Sequence, residues 1–286
     1  MEQPVWLITG ASSGLGLSIA LSALRVGGRV LATARNPAKA ARDHPEVEQR
    51  GGKWIALDVA KSDCKAVVQK VVELEGRVDV VVNSAGYSLL GAVEDMSENE
   101  IQDQINTNFY GPIRVIQGAL PTMRKQMSGT IVNMSSTAGI SGVAACGLYA
   151  ASKFALEGLS EALASELSAF NIHMLVVEPG AFRTAMIGNA VSPAAGLSEP
   201  YIGTAVNAVL DRYAQIPEKA PGDPQKAGEV IVQTIKEGMS SDRMIHGHLR
   251  LILGSDSLAR IEMKAQKLME NVVAMKEVAK RTDRSN

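Results

Sequence analysis

Cysteine, aromatic residues and long apolar runs are all scarce in this chain of 286 residues. Its two cysteines, Cys64 and Cys146, stand far apart with no His/Cys cluster beside either. That excludes a disulfide framework or a cysteine-based zinc site, and it points to a reducing compartment and no metal. Aromatics make up only 4% of the residues, and the formal net charge is −1 with Lys and Arg scattered along the chain. No basic patch is left for nucleic acid or an anionic membrane. No apolar run approaches the roughly 18 residues of a membrane span, and the first strand-like run begins too early for a signal peptide to precede it. The expectation is a soluble, cytoplasmic protein whose partner is a small molecule.

Hydrophobic residues are plentiful, at 46%, and no polar linker divides them. One α/β domain over residues 1–286 is the economical reading. Short β-branched runs at Val5–Thr9, Arg29–Ala34, Trp54–Val59, Val78–Asn83, Thr130–Ser135 and His173–Glu178 read as buried parallel strands. A seventh is expected near Arg243–His246. Helical periodicity fills Leu15–Val26, Asp63–Glu75, Glu100–Leu120 and Leu148–Phe170, so the fold class is a parallel sheet with helices on both faces. Residues 186–220 are expected to form a substrate-binding loop region. Residues 256–286 form a C-terminal helical extension, with Ile261, Ala265, Leu268, Val272 and Met275 on one face to pack on its own domain or a partner subunit.

The run Thr9–Gly16, "TGASSGLG", follows the first strand and opens the first helix. There Gly10 suits a tight turn, Gly14 lets backbone approach a phosphate, Gly16 lets the helix pack close, and the helix N-terminus favours negative charge. The second strand ends in Ala34 and Arg35, where NAD-preferring folds carry an acidic residue for the ribose hydroxyls. Arg35 instead suits a 2′-phosphate, which favours NADP(H) over NAD(H).

Taken with "NSAG", "NTNFYG", "SSTAG", "YAASK" and "EPGAFRT" in this order, the chain resembles the short-chain dehydrogenase/reductase family over nearly its whole length. The resemblance implies a single Rossmann-type doubly wound domain with about seven parallel strands. It assigns the cofactor to Gly10, Ser12, Ser13, Gly14, Leu15 and Gly16 of the turn, to Arg35, to Asp58 at the adenine, and to Asn83, Ala85 and Gly86 along the adenosine. Pro179, Gly180, Phe182 and Thr184 would shape the nicotinamide pocket, while Glu178 reads as structural. Ser84 and Ser13 depart mildly from the pattern, and Ser13 leaves Arg35 as the main basic determinant. The family commonly forms homodimers or homotetramers through the helices at Glu100–Leu120 and Leu148–Phe170.

Tyr149 and Lys153 are four residues apart, hence neighbours on one helix face. An adjacent ammonium is expected to lower the tyrosine pKa toward a useful range and to hold the nicotinamide ribose. Ser136, at the end of the fifth strand, would hold the substrate oxygen, with Ser135 its rival. The resemblance gives Asn108 a water linking Lys153 to solvent. Together these point to hydride transfer between NADP(H) and a carbonyl or secondary alcohol. Net isomerisation, or a non-catalytic NADP-binding regulator, would use the same pocket. Three candidate substrate walls, Gly86–Met96, Ala138–Leu148 and Gly188–Ala205, contain no Arg or Lys, which favours a lipophilic substrate. Tyr87, Leu89, Cys146, Leu148, Met186 and Tyr201 are its expected contacts.

Overall fold

The structure, a computed structural model, describes residues 3–184, 190–240 and 249–284. Seven strands lie in it: β1 (Val5–Ile8), β2 (Arg29–Ala34), β3 (Lys53–Ala56), β4 (Val80–Asn83), β5 (Gly129–Met134), β6 (Ile172–Pro179) and β7 (Arg250–Leu253). All pair in parallel, in the order β3-β2-β1-β4-β5-β6-β7. The chain winds outward from β1 to β3 and then returns to place β4 on the other side of β1. At that reversal two successive connections leave in opposite directions, so a crevice opens beyond the carboxyl ends of β1 and β4.

The strands read as continuous apolar runs because both faces are covered. Trp6, Ile8, Val30, Val82, Val132 and Val177 point to one face, under α1 (Gly14–Arg25) and α9 (Pro224–Ser240). Val5, Leu7, Leu31, Val81, Ile131 and Met174 point to the other, under α4 (Cys64–Glu75), α6 (Gly111–Gln126) and α7 (Gly147–Leu167). Each large side chain buried in this way contributes about 1.5–3 kcal/mol.

Three expectations need correction. The helix expected over Glu100–Leu120 is broken. α5 (Glu98–Ile105) passes through a π-helical stretch, Asn106–Tyr110, before α6 resumes. Pro112 has no N–H to donate, and Arg114 bridges the break from Asn106 Oδ1 (2.7 Å) to the Val59 carbonyl (3.0 Å). The third strand ends at Ala56 rather than Val59, because the Asp58 carboxylate accepts from Ala60 N–H (3.0 Å) and turns the chain away. The seventh strand is Arg250–Leu253, paired with Val176–Pro179. The stretch expected for it, Arg243–His246, lies outside the described residues.

The remaining helices are α2 (Pro37–Asp43), α3 (Glu46–Gln49), α8 (Ala205–Lys219) and α10 (Ser255–Lys280). The start of α10 packs beside β7, but Leu268, Val272 and Met275 are more than half exposed. Of the face expected to pack on the domain or on a partner subunit, Ile261 is half-buried and Ala265 exposed. No helix among those residues is long and apolar enough to cross a membrane.

Candidate active site

A cavity of about 730 Å³ runs along the carboxyl ends of the strands. In sheet order its lining passes from Asp58 after β3 and Arg35 after β2, through the glycine turn after β1 and Ser84–Ser88 after β4. It continues past Ser136 after β5 and Pro179–Phe182 after β6 to Asp256 and Arg260 after β7.

The glycine turn is folded onto itself. Gly10 has φ +64°, and a Cβ there would lie 2.7 Å from Ala85 Cα; a Cβ on Gly16 would lie 2.5 Å from the Gly10 carbonyl oxygen. The turn therefore needs glycine at both places, and Gly16 serves the turn itself rather than the contact between helix and sheet. Ser13 caps α1 with extended backbone but with no side-chain hydrogen bond, so the first-turn N–H groups keep their outward electropositive end. Thr9 ties this turn to the next. Its hydroxyl accepts from Ser84 N–H (3.0 Å) and Ala85 N–H (3.1 Å).

Tyr149 and Lys153 lie on one face of α7, both buried, with Lys153 Nζ 5.8 Å from the centre of the tyrosine ring. Ser136 and Ser88 line the cavity beside the Tyr149 hydroxyl and favour its ionised form. Lys153 donates to the Met134 carbonyl (2.6 Å) at the end of β5. Burial pushes Tyr149 up to about 12, against the lowering influence of the two serines. Burial draws Lys153 down to about 8, with the Glu157 carboxylate opposing it. The expected lowering of the tyrosine by lysine is thus reversed, because desolvation of a fully enclosed phenol outweighs the neighbouring groups.

Asn108 sits in the π-helical break, buried, with its amide divided between Tyr87 and Ser152. It accepts from Tyr87 N–H (3.1 Å) and donates to the Tyr87 carbonyl (2.9 Å) and Ser152 Oγ (3.2 Å). Gly86 separates it from the lysine. A Cβ there would stand 3.1 Å from Asn108 Oδ1 and 3.9 Å from Lys153 Nζ. Ser135 turns its hydroxyl toward Glu157, which leaves Ser136 as the serine presented to Tyr149.

The family model described as short chain dehydrogenase matches residues 4–194. The chain belongs to the short-chain dehydrogenases. It is 51% identical over 207 residues to "Oxidoreductase claN" of Passalora fulva, covering 72% of this chain and 94% of that one. To the 3-ketodihydrosphingosine reductase of Bacteroides thetaiotaomicron it is 35% identical over 238 residues, covering 82% and 84%. A crystal structure of a short-chain dehydrogenase from Streptomyces avermitilis superposes with a TM-score of 0.86 at 34% identity, covering 99% of this chain and 100% of the other.

In this short-chain dehydrogenase the cavity gathers Gly10, Ser12–Gly16, Arg35, Asp58, Ala85, Gly86, Tyr87, Ser136, Tyr149, Lys153, Pro179, Gly180, Phe182 and Thr184. Asn83 is not among them. Its amide donates to Asn133 Oδ1 (2.8 Å), and Asn133 donates on to Ser160 Oγ (2.8 Å), so it ties β4 through β5 to α7. Of the expected substrate contacts, Leu89 is buried beneath a bridge to Val191, and Tyr201 donates to Glu94 (2.8 Å) outside the cavity. Cys146 is buried beside Tyr213, Leu148 does not line the cavity, and Met186 lies outside the described residues.

Within the region expected to bind substrate, the described residues after 190 are hydrogen-bonded to the body. Val191 N–H donates to the Ser88 carbonyl (2.8 Å), Ala194 N–H to Glu100 (2.7 Å) and Ser198 N–H to Asp95 (3.0 Å). Sequence reasoning also missed Ser88, Arg212, Tyr213, Asp256 and Arg260, all of which line the cavity. Ser88 was accessible by the same logic that found Ser136, a hydroxyl just beyond a strand's carboxyl end. The other four lie on α8 and α10, which carry no motif and whose placement depends on where β7 falls.

Proposed function

We propose that this short-chain dehydrogenase transfers hydride between NADP(H) and a carbonyl or secondary alcohol on a small, largely lipophilic molecule. The observation that carries the reading is that Tyr149, Ser136 and Ser88 line one cavity with Lys153 enclosed beside the tyrosine ring.

The residues fit a dinucleotide. The turn at Gly10 and Gly16 has no room for side chains, and α1 presents uncapped N–H groups to the cavity, an arrangement suited to a pyrophosphate. Arg35 reaches the cavity with no acidic residue beside it at Ala34, which suits a 2′-phosphate. Asp58 would meet the adenine, and Pro179, Gly180, Phe182 and Thr184 the nicotinamide. Bound there, NADPH would supply the hydride for the carbonyl carbon, being oxidised to NADP⁺.

Tyr149 gives its phenolic proton to the carbonyl oxygen, so the substrate gains one hydride and one proton and becomes the alcohol. Ser136 and Ser88 donate to the same oxygen as charge builds on it. The Lys153 ammonium stabilises the phenolate left behind, and Asn108, across Gly86, holds the water through which Tyr149 regains a proton. The oxidation runs the same steps in reverse. The lipophilic body is supported by Val191, Phe182 and Tyr213 in the cavity and by the 3-ketodihydrosphingosine reductase among the relatives. A homodimer or homotetramer is part of the proposal, supported by Tyr110 and Phe154 exposed on the helical segments expected to meet.

Tyr149→Phe tests the chemistry. The variant binds NADPH with the wild-type dissociation constant yet loses at least about 100-fold in kcat on a carbonyl panel, the scale of general acid catalysis. Unchanged turnover would end the reading. Arg35→Ala tests the cofactor. The KM for NADPH rises against that for NADH, and an unchanged ratio would remove Arg35 as the selector.

A further inference from the structure

The walls examined in the sequence carry no positive charge, but the cavity does. α8 brings Arg212 and Tyr213 to its lining, and α10 brings Asp256 and Arg260. Tyr213 lies against Cys146 and within electrostatic reach of Tyr149, and Arg260 acts on both Cys146 and Tyr213. Tyr213 and Arg260 therefore stand at the end of the cavity that holds Tyr149, not the end at Arg35, and Arg212 adjoins Tyr213 on α8. β2 and β7 are five strand spacings apart in the sheet order, which is roughly 24 Å at the usual inter-strand distance. Arg260, on the helix that follows β7, is therefore separated from the group that would hold a 2′-phosphate.

Neither the Arg212 nor the Arg260 guanidinium has an ion-pair partner among the described residues. Asp256, one helical turn before Arg260, is already engaged. It accepts from Ala181 N–H (2.8 Å), and a Cβ on Gly180 would fall 2.2 Å from its Oδ1, so its carboxylate is spent on holding the Gly180–Ala181 backbone. Asp103 also lines the cavity, on the α5 side beside Tyr87. Two arginines facing a concave, partly apolar space without partners match an incoming anion, since guanidinium groups bind carboxylates through paired hydrogen bonds.

We infer that Arg212 and Arg260 form an acid-binding end of the substrate site, and that the substrate carries a carboxylate besides the carbonyl that is reduced. The inference rests on the proposed hydride transfer and narrows it. The substrate is an amphiphile, its apolar body against Val191, Phe182 and Tyr213 and its carboxylate toward α8 and α10.

The test uses the full-length enzyme with NADPH and matched probes: medium-chain oxo acids with the ketone at successive carbons, and their methyl esters. The acids are expected to exceed their esters in kcat/KM by at least about 10-fold, the lower end for a hydrogen bond to a charged group, with a preferred ketone position. Arg260→Gln and Arg212→Gln each lower kcat/KM for the acids through KM, leave kcat for the esters within about two-fold, and leave the KM for NADPH unchanged. Esters reduced as well as acids by the wild type, or variants that raise the KM for NADPH instead, would overturn the inference while leaving hydride transfer intact. Loss of ester turnover in Tyr149→Phe alone bears on the underlying reaction and not on the arginines.

Discussion

Enclosing Tyr149 and Lys153 side by side moves both away from their ordinary titration, the phenol up to about 12 and the ammonium down to about 8. The tyrosine therefore keeps its proton through the physiological range, as the proposed proton donor to a carbonyl must. The group that changes charge near neutrality is the lysine. Reduction is expected to be steady below about pH 8 and to fall above it as Lys153 loses its charge, read from kcat against pH. Glu157 supports the charged form of Lys153, so Glu157→Gln moves that limb to lower pH. A limb that stays in place would show that Glu157 acts only in packing. The pairing of Tyr149 with Lys153 was legible from a spacing of four on a helix. The reversal of the expected shift was not, because it depends on how completely other elements cover the pair, and spacing along one helix carries no such information.

At the scale of elements, Thr9 connects two turns that the sequence presents as separate motifs. Thr9→Val keeps the shape but leaves the Ser84 and Ala85 N–H groups without their acceptor. The loss is expected to lower stability by about 1–3 kcal/mol in chemical denaturation and to raise the KM for NADPH, since Ala85 and Gly86 line the cavity. Wild-type values for both would show that the two turns are held by other means. Six of the seven strands were readable as apolar runs because both sheet faces are covered. β7 was not, since Arg250 opens it and only Leu251–Leu253 are apolar. The break at Asn106–Tyr110 was hidden as well. Arg114 spans it by reaching to Val59 and Asn106, the first a contact between distant parts of the chain.

At the scale of the whole molecule, Arg250 on the last strand lies among three carboxylates: Glu178 on β6 (3.0 Å), and Glu157 (3.2 Å) and Glu161 (2.5 Å) on α7. One guanidinium cannot neutralise three acids, and Glu178 is raised from the usual 4.5 to about 7 by burial first and by Glu157 second. Its folded form holds a proton that the unfolded chain releases. The stability it contributes is complete below about 4.5 and is lost as pH rises through about 7. Glu178→Gln fixes the neutral form, so its stability relative to wild type, followed by denaturation across that window, rises with pH. Parallel curves would contradict the assignment.

The same view from sheet edge to sheet edge explains why the substrate was the least legible part. The cavity residues that the sequence did not reveal, Arg212, Tyr213, Asp256 and Arg260, come from the last third of the chain on α8 and α10, which follow no motif. The proposed cofactor residues sit at strand ends, and Tyr149 and Lys153 share a legible spacing on α7. The central claim is that these groups transfer hydride to a carbonyl. It is tested most directly by supplying NADPH deuterated in turn on each face of the nicotinamide C4 and weighing the alcohol formed. The expected result is one deuteron in the product from one face only, absent in Tyr149→Phe. Product formed without label from either face would contradict hydride transfer.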